Sequence, residues 1–380
     1  MKLFIAAAFA IAACAADVSI SNTECRHDVD GNIMDTHDGN IVQWEEGGLY
    51  WYYSMGYQDC KLEHSLMPPQ ECPGIYHRFG GCGFREDHAL RIYTSPNLKD
   101  WTLVSLDGLD PETRPYGIYF RPKVVYNAKN KQYVLWINHL PRALSPLRAY
   151  HDTGYAVATA STPQGPFKFI LEQANLGESA PGDADIFVDE NGVDAYIAYN
   201  GWNNKHTLLV EKLNEDWTDS LGSTWNSGPI TSHKQEAPAM FQRNGYYYLL
   251  HGHTCCFCRH GSDAWVKVAT DPLGPWKDMD LNLNPKRKGI FTSDHVVKGQ
   301  NSMVIRYKNQ SKETGYIFVS DLWSSADDGL KSHDKQFWQE LEFDDSVTPP
   351  AIKPFEWRDS CDLKDMPDVS SLEELQLSTN

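Results

Sequence analysis

A β-hairpin is predicted by the stretch Glu236-Ala-Pro-Ala-Met-Phe241, followed by Gln-Arg-Asn244-Gly245 and then Tyr246-Tyr-Tyr-Leu-Leu-His-Gly-His253. Its first strand begins at a carboxylate, Asn-Gly supplies the two residues of a tight turn, and the return strand is aromatic and aliphatic. A hairpin brings the end of its second strand back beside the start of its first. We therefore expect Glu236 to face the loop that opens at residues 251–258.

The same order of polar opening, apolar strand, turn, apolar strand and polar exit occurs five times along the chain. The repeats open at residues 38, 121, 183, 236 and 300, at intervals of 83, 62, 53 and 64 residues. Each interval is long enough for four strands and their loops. Strand-rich repeats of this size predict an all-β fold, a five-bladed β-propeller with four-stranded blades.

Three segments are predicted along the chain: a signal peptide at 1–16, the propeller as the catalytic domain at 17–360, and a frayed polar tail at 361–380. The first segment has one lysine, an apolar run too short to span a membrane, and small residues near its end. These features predict a secreted, extracellular protein. The alternative is a lipoprotein anchored through Cys14, because Ile11-Ala-Ala-Cys14 resembles a bacterial lipoprotein cleavage box.

The cysteines predict disulfide bonds, because the eight that follow the signal peptide form an even set suited to an oxidising compartment. An insertion in the first blade, at residues 59–87, is expected to be held by disulfides, and Cys361 to pin the tail. A second group at 251–260 has three cysteines and three histidines, a density that also suits zinc or copper. Disulfides to the insertion are the favoured interpretation, and their connectivity stays open. The cysteines concerned are Cys25, Cys60, Cys72, Cys82, Cys255, Cys256, Cys258 and Cys361.

The composition is that of a folded globular protein, with 41% hydrophobic and 12% aromatic residues. A formal net charge of −17 argues against nucleic acid as a partner, since binding a phosphate backbone requires clustered lysine and arginine. We expect a monomer that has no membrane partner.

The five openings should converge, because the innermost strands of a propeller all begin around one axis. We therefore expect one pocket to be surrounded by Asp38, Arg121 or Lys123, Asp185, Glu236 and Gln300. Three separated carboxylates favour glycoside hydrolysis, in which one carboxylic acid protonates the leaving oxygen while another carboxylate activates water. For Asp183 the favoured interpretation is a structural one, hydrogen bonding to loop amides.

The loops that leave the second strands should form the rim of the pocket. They offer Tyr57, His139, Trp202, His253 and Trp323, which together with Arg121 and Lys123 are the candidate substrate-binding residues. Aromatic faces suit the C–H surface of a sugar ring. The alternative for Trp202 and Trp323 is that they belong to the core, as most tryptophans do.

The motifs together resemble glycoside hydrolase family 43, and within it the galactan exo-β-1,3-galactosidases. They are His37-Asp-Gly-Asn-Ile41, Arg121-Pro-Lys-Val-Val-Tyr-Asn127, Asp183-Ala-Asp-Ile-Phe-Val-Asp189, Glu236-Ala-Pro-Ala-Met-Phe241 and Gln300-Asn-Ser302 followed by Ser320-Asp-Leu-Trp323. The resemblance implies a five-bladed propeller and an inverting mechanism acting on a polysaccharide or oligosaccharide. It implies Glu236 as general acid, Asp185 as the carboxylate that raises the pKa of the acid and orients it, and Gln300 near the attacking water. Asp38 falls where most of the family has its general base.

The chain departs from the galactanase branch at two positions. That branch usually has glycine where this chain has Asp38, and glutamate where it has Phe120. An α-L-arabinofuranosidase or related furanosidase is therefore the alternative activity, and a carbohydrate-binding propeller without catalysis is the alternative of another class.

The reaction requires no cofactor, and no metal ligands are assigned from the sequence. A calcium or sodium ion lies on the axis in some relatives of the family. An acidic hub with His37 or His295 nearby could hold a structural calcium ion.

Overall fold

The computed structural model of the chain describes residues 15–59, 86–141, 152–178, 180–202, 205–232, 234–254, 257, 259–288 and 293–367. These residues form an all-β structure. Strand β1 (Ala15–Ser21) precedes five antiparallel sheets that follow one another along the chain, so the predicted five-bladed propeller is confirmed. No helix in this part of the chain is both long and apolar enough to cross a membrane.

The first two blades have four strands each. Blade 1 contains β2 (His37–Gln43), β3 (Tyr50–Gly56), β4 (Ala89–Ser95) and β5 (Thr102–Ser105). Blade 2 contains β6 (Gly117–Asn127), β7 (Gln132–Pro141), β8 (Gly154–Ala160) and β9 (Lys168–Leu171).

Blades 3, 4 and 5 complete the circle. Blade 3 contains β10 (Pro181–Val188), β11 (Ala195–Gly201) and β12 (Thr207–Lys212), and the 3₁₀ helix Gly222–Trp225 follows it. Blade 4 contains β13 (Gln235–Arg243), β14 (Tyr246–His253), β15 (Trp265–Ala269) and β16 (Lys277–Asn282). Blade 5 contains β17 (Gln300–Lys308), β18 (Thr314–Leu322) and, after the 3₁₀ helix Lys331–His333, β19 (Lys335–Glu340). A short pair, β20 (Phe343–Asp344) and β21 (Ala351–Ile352), precedes the last strand, β22 (Ser360–Pro367).

Within the described residues, blades 3 and 5 have three strands where four are predicted. In blade 3 the chain after the 3₁₀ helix does run beside β12, and Ser227 and Ile230 donate backbone hydrogen bonds to it. The backbone N–H groups of Val210 and Leu208 in β12, however, donate to the side-chain oxygens of Ser227 and Thr231. Because side chains replace the backbone acceptors, this edge is not a regular strand.

The hydrophobic core is divided among the interfaces between neighbouring blades. Successive side chains of a strand point to opposite faces, so each strand contributes to two interfaces. Tyr52 of β3 packs toward blade 5 and the adjacent Tyr53 packs toward blade 2, and both are fully buried. The strands are therefore apolar on both faces, which explains the continuous aromatic and aliphatic runs in the sequence.

The first and last strands of the described residues pair with each other. β1 pairs antiparallel with β22, and Asn22, directly after β1, exchanges hydrogen bonds with the backbone of Trp338 in β19. The prediction of a frayed tail from residue 361 is therefore wrong for its first seven residues. Their burial alternates at the start: Cys361 and Leu363 pack in the core, while Asp362 between them is exposed.

The disulfide predictions have two outcomes. Cys25 and Cys361 are free thiols in the structure, so the expectation that Cys361 pins the tail through a disulfide is wrong; β-sheet pairing and core packing hold the segment instead. The remaining cysteines, most of the predicted signal peptide and residues 60–85 of the insertion lie outside the described residues.

Candidate active site

The five inner strands share a local irregularity at the end that faces the pocket. In each of them the register against the second strand of its blade shifts, between His37 and Asn40 in β2 and at corresponding points in β6, β10, β13 and β17. A bulge of this kind breaks the alternation of a strand and re-aims a side chain. Asp38 and Arg121 lie at these shifts with φ of 58° and 49°, in the left-handed region. Such backbone strain is common at functional sites.

The inner strands surround one axis, because each contacts the next and β17 contacts β2. A pocket lies where these strands begin. Its lining residues come from all five blades: Asp38, Tyr57, Phe120, Arg121, Asn138, Thr153, Gly182, Asp183, Trp202, Glu236, Phe257, Gln300 and Trp323. The structure thus brings together Asp38, Arg121, Glu236 and Gln300, as the convergence of the openings predicts.

Glu236 lies in a hydrogen-bonded row with two other lining residues. The Nε2 of Gln300 donates to Oε1 of Glu236 at 2.7 Å, and Nε1 of Trp323 donates to Oε1 of Gln300 at 2.8 Å. An indole N–H can only donate, so the amide oxygen of Gln300 must face Trp323 and its NH₂ must face Glu236. Because Oε1 of Glu236 accepts in this row and a carbonyl-type oxygen is the better acceptor, Oε2 is the favoured position for a proton on that carboxyl group.

Asp38 is buried on another side of the same pocket. Its Oδ2 accepts a 2.5 Å hydrogen bond from the hydroxyl of Tyr57, and its Oδ1 lies 3.5 Å from Nε of Arg121. Burial raises the pKa of Asp38, and the positive charge of Arg121 opposes this rise without cancelling it. The carboxylate is therefore held in place and titrates above the range of an exposed aspartate.

Asp321 supports the bulge that carries Asp38. One of its oxygens accepts the backbone N–H of Asp38 at 3.1 Å, and the other accepts from Nε2 of Gln336 at 2.8 Å and lies 3.5 Å from Nδ1 of His37. Burial acts to raise the pKa of Asp321, but the contacts with His37 and Gln336 bring it below its ordinary value. Asp321 therefore acts as an anion that positions Asp38.

Asp183 and Arg121 form a close ion pair in the pocket wall. Nε of Arg121 lies 3.0 Å from Oδ1 of Asp183, and Nη2 donates to Oδ2 at 3.2 Å, a two-point geometry that fixes both side chains. Burial acts to lower the pKa of Arg121, but Asp183 and Asp38 raise it above its ordinary value. The structure therefore places Asp183, expected to bond only to loop amides, among the pocket residues.

Asp185 and Lys123 are not among the lining residues. Oδ2 of Asp185 accepts the backbone N–H of Met240 at 2.8 Å, and its Oδ1 lies 3.2 Å from Nζ of Lys123. Nζ of Lys123 also donates to the carbonyls of Gly39 and Ser302, and the side chain is fully buried. This pair joins the inner strands β2, β6, β10, β13 and β17 beneath the pocket.

The predicted rim residues divide into two groups. Tyr57, Trp202 and Trp323 line the pocket. His139 is buried against Tyr119, with ring centroids 5.0 Å apart, and His253 lies 3.1 Å from Asp263, so neither belongs to the lining.

The sequence reasoning missed a buried lysine behind the aromatic wall. Nζ of Lys331 lies 3.6 Å from the ring centre of Trp323, 3.7 Å from that of Phe257 and 4.4 Å from that of Tyr57. Burial lowers the pKa of Lys331 to about 8. Cation–π contacts with three rings hold them together. No motif surrounds Lys331, so only the fold could reveal it.

Gly182 is another lining residue without a sequence signal, and it is needed for a close approach. A Cβ atom at this position would lie 2.5 Å from Nε1 of Trp202 and 2.6 Å from Oδ1 of Asn200. Only glycine lets the indole of Trp202 sit against the start of β10.

The arrangement can perform acid–base chemistry on a neutral substrate. It has two carboxyl groups, Glu236 and Asp38, on separate blades around one pocket that aromatic rings also line. A cationic side chain, Arg121, lies next to Asp38 and is already paired with Asp183. Such a site resembles those in which two carboxyl groups act on opposite sides of a sugar ring.

The comparisons with known proteins agree with this chemistry. The family model described as Glycosyl hydrolases family 43 matches residues 32–306. No curated protein sequence matches the chain.

Solved structures with a similar fold include three exo-acting or β-1,3-specific enzymes. A family 43 β-1,3-galactosidase is 21% identical, with a TM-score of 0.68, and the match covers 92% of this chain and 64% of that one. The exo-β-1,3-galactanase from Clostridium thermocellum is 21% identical, with a TM-score of 0.68 and coverage of 92% and 68%. A variant of the exo-β-1,3-galactanase from Phanerochaete chrysosporium, solved with β-1,3-galactotriose, is 21% identical, with a TM-score of 0.66 and coverage of 90% and 67%.

This chain thus spans somewhat less than two thirds of the length of the first of these structures. At such identities the likeness supports the fold, whereas the family model covers most of the chain. The chain therefore belongs to glycosyl hydrolases family 43.

Proposed function

We propose that this protein is an inverting, exo-acting glycoside hydrolase that releases galactose from β-1,3-galactan. The observation that carries the proposal is the pocket on the propeller axis, in which Glu236 and Asp38 come from different blades and each has a defined set of hydrogen-bond partners. Secretion through the predicted signal peptide is part of the proposal, since the substrate is a polysaccharide or oligosaccharide outside the cell.

In this mechanism Glu236 is the general acid. The NH₂ of Gln300 donates to Oε1, and in this proposal the proton given to the leaving oxygen comes from Oε2. After the proton is transferred, the same hydrogen bond from Gln300 stabilises the carboxylate that remains.

Asp38 is the general base in this mechanism. Tyr57 and Arg121 hold its two oxygens, which fixes the direction in which a water molecule can be deprotonated. An inverting enzyme requires the base and the acid to act from opposite faces of the sugar. Asp183 restrains Arg121 through its ion pair and adds a negative charge to that side of the pocket.

The galactan substrate is supported by the similar structures, since the three named above are described as a β-1,3-galactosidase or as exo-β-1,3-galactanases. One observation favours a second candidate, an α-L-arabinofuranosidase. Phe120 lines the pocket at the position where the galactanase branch has a glutamate, and an apolar side chain there removes a contact for a sugar hydroxyl.

Product release from β-1,3-galactan and from arabinan tests the two candidates. We expect the purified protein to release galactose from β-1,3-galactan, with the Glu236→Gln variant inactive on the same polymer. Release of arabinose from arabinan, without galactose from β-1,3-galactan, would support the furanosidase instead. Sugar binding without any product would indicate a carbohydrate-binding propeller and contradict both activities.

Two matched variants distinguish the role of Asp183 from that of Asp185 through their effects on turnover and on stability. Asp183→Asn should lower kcat on the order of 10²-fold with a smaller loss in the free energy of unfolding, because the buried guanidinium of Arg121 keeps Asp38 as a counter-charge. Asp185→Asn should instead destabilise the fold by about 3–5 kcal/mol, because it leaves the buried ammonium of Lys123 without its counter-charge.

Steady-state kinetics and urea denaturation of both variants measure these effects. If Asp185→Asn loses turnover at unchanged stability, Asp185 is the residue that tunes the general acid, as the resemblance to the family implies. A loss of stability alone in Asp183→Asn would contradict the pocket role of Asp183.

A further inference from the structure

A cluster of three side chains outside the pocket has the geometry of a metal site. His253 ends β14, Asp263 lies just before β15, and His295 lies in the connection from blade 4 to blade 5. One ligand atom from each lies within 4.8 Å of the others. Nδ1 of His253 is 3.1 Å from Oδ2 of Asp263, and Nε2 of His295 is 3.3 Å from Oδ1.

The tautomer of His295 follows from its second ring nitrogen. Nδ1 lies 3.1 Å from the carbonyl oxygen of His260, and a carbonyl can only accept, so Nδ1 carries the hydrogen. Neutral His295 therefore turns the lone pair of Nε2 toward the carboxylate of Asp263. Two acceptors facing each other at 3.3 Å require a positive charge between them, either a proton or a metal ion.

His253 also turns a ring nitrogen toward the carboxylate of Asp263. Its Nδ1 lies 3.1 Å from Oδ2 of Asp263, closer than the backbone nitrogen of the same residue at 3.5 Å, so the carboxylate is its nearer neighbour. The rings of His253 and His295 are stacked, with centroids 5.5 Å apart, and both present a nitrogen to Asp263. One cation on the carboxylate satisfies both nitrogens at once.

The surroundings orient the three side chains. Nδ2 of Asn282 donates to Oδ1 of Asp263 at 2.8 Å, and the carbonyl of His260 holds the ring of His295. Metal-binding histidines commonly donate their other N–H to a carbonyl, and their carboxylate neighbours are commonly hydrogen-bonded. A tetrahedral zinc ion with bonds of about 2.0–2.1 Å separates its ligand atoms by roughly 3.3 Å. The two histidine-to-carboxylate distances, 3.1 and 3.3 Å, are close to this value.

We propose that His253, Asp263 and His295 bind one divalent transition-metal ion, zinc, with a fourth position left for water. Two imidazole nitrogens favour zinc over calcium, which takes oxygen ligands. Asp263 and His253 are partly exposed, at 20% and 37% of their side chains, so an ion can enter from solvent. His295 is buried and closes the inner side.

The ion would stabilise blade 4 close to the strand that carries the candidate acid. Gly252, adjacent to His253, pairs with Glu236 across blade 4, so the site lies one residue along β14 from the partner of the candidate acid. The three ligands come from three separate segments, and one ion would fix all of them relative to β13. This role is structural and does not depend on the proposed substrate.

Zinc binding to the chelator-treated protein tests the proposal. We expect one equivalent of Zn²⁺ to bind and raise the melting temperature. His253→Ala and Asp263→Asn should each weaken binding on the order of 100-fold or more. The matched control is His260→Ala, which removes a nearby partly exposed imidazole but keeps the backbone carbonyl that holds His295; it should bind zinc like the parent protein.

Cobalt substitution distinguishes the ligands. Co²⁺ at the proposed site should give the visible absorption of a tetrahedral ion with nitrogen and oxygen ligands. A sulfur-to-cobalt charge-transfer band would place the ion on cysteine thiolates and overturn the assignment. Equal binding by the parent and His253→Ala, or no binding by the parent, would overturn it as well.

Discussion

Glu236→Gln is expected to lower kcat on β-1,3-galactan by on the order of 10³-fold or more while leaving the rate on aryl galactosides with a good leaving group largely intact. General acid catalysis contributes about 10²–10⁴-fold when the departing oxygen needs a proton, and nothing when the leaving group departs as a stable anion. Glutamine has the same shape and can still accept from Gln300 through its amide oxygen, so the row to Trp323 is kept. Parallel kinetics on the polymer and on an aryl glycoside measure the difference.

The matched control for this variant is Glu45→Gln, an exposed glutamate at the far end of blade 1 from the pocket. It removes the same charge and should leave both rates unchanged. An equal loss on both substrates in Glu236→Gln would mean that Glu236 is not the acid. Sugar binding, measured by calorimetry with galactose, should survive in both variants, because the change removes a proton and no steric contact.

Much of the fold could be predicted because the repeats carry local signals. The turn at Asn244-Gly245 and the apolar strands on either side of it fix the hairpin of blade 4, which pairs as the sequence implies, with Phe241 opposite Tyr248. Since every blade has such a hairpin, the approximate positions of the inner strands, and hence the convergence of Asp38, Arg121, Glu236 and Gln300, follow from the repeat alone.

The distinction between Asp183 and Asp185 could not be predicted from the pattern. In a regular strand two residues at i and i+2 point to the same face, so both carboxylates would be equivalent. The register shift between Pro181 and Ala184 breaks this alternation, and Asp183 reaches the pocket while Asp185 binds the backbone of β13. A bulge depends on pairing with the neighbouring strand, which periodicity does not encode.

Strand β22, in contrast, could have been predicted, because the sequence contains a signal for it. Ser360-Cys-Asp-Leu363 alternates between polar and apolar residues, and the structure buries Cys361 and Leu363. The acidic composition of the segment favoured a tail, but alternation over four residues already predicts a strand. Its partner, β1, lies at the predicted cleavage boundary, so this pairing was not apparent from the chain alone.

Asp38→Asn is expected to lower kcat on the order of 10³-fold with little change in sugar affinity, because a general base contributes about 10²–10⁴-fold and the amide cannot take a proton from water. Asparagine is suited to the position. It tolerates the φ of 58° found at Asp38, and its amide oxygen can still accept from Tyr57. Arg121 keeps its pair with Asp183, so the pocket wall should retain its shape.

The pH dependence gives a second readout for the same residue. A general base works in its ionised form, so kcat/KM falls as the pH falls through its pKa. Since burial raises the pKa of Asp38, the acidic limb of the parent protein should lie above the ordinary aspartate pKa of about 3.9. The residual activity of Asp38→Asn should lack this limb.

Azide and product stereochemistry complete the test. In an inverting enzyme azide should not restore turnover of Asp38→Asn with retained configuration, which NMR of the released sugar reports. Retained configuration in the sugar that the parent protein releases would mean that a covalent intermediate forms and that Asp38 is a nucleophile. A loss of less than about tenfold in kcat, below the range of general base catalysis, would transfer the positioning of water to Gln300, whose amide lies beside Glu236 in the same pocket.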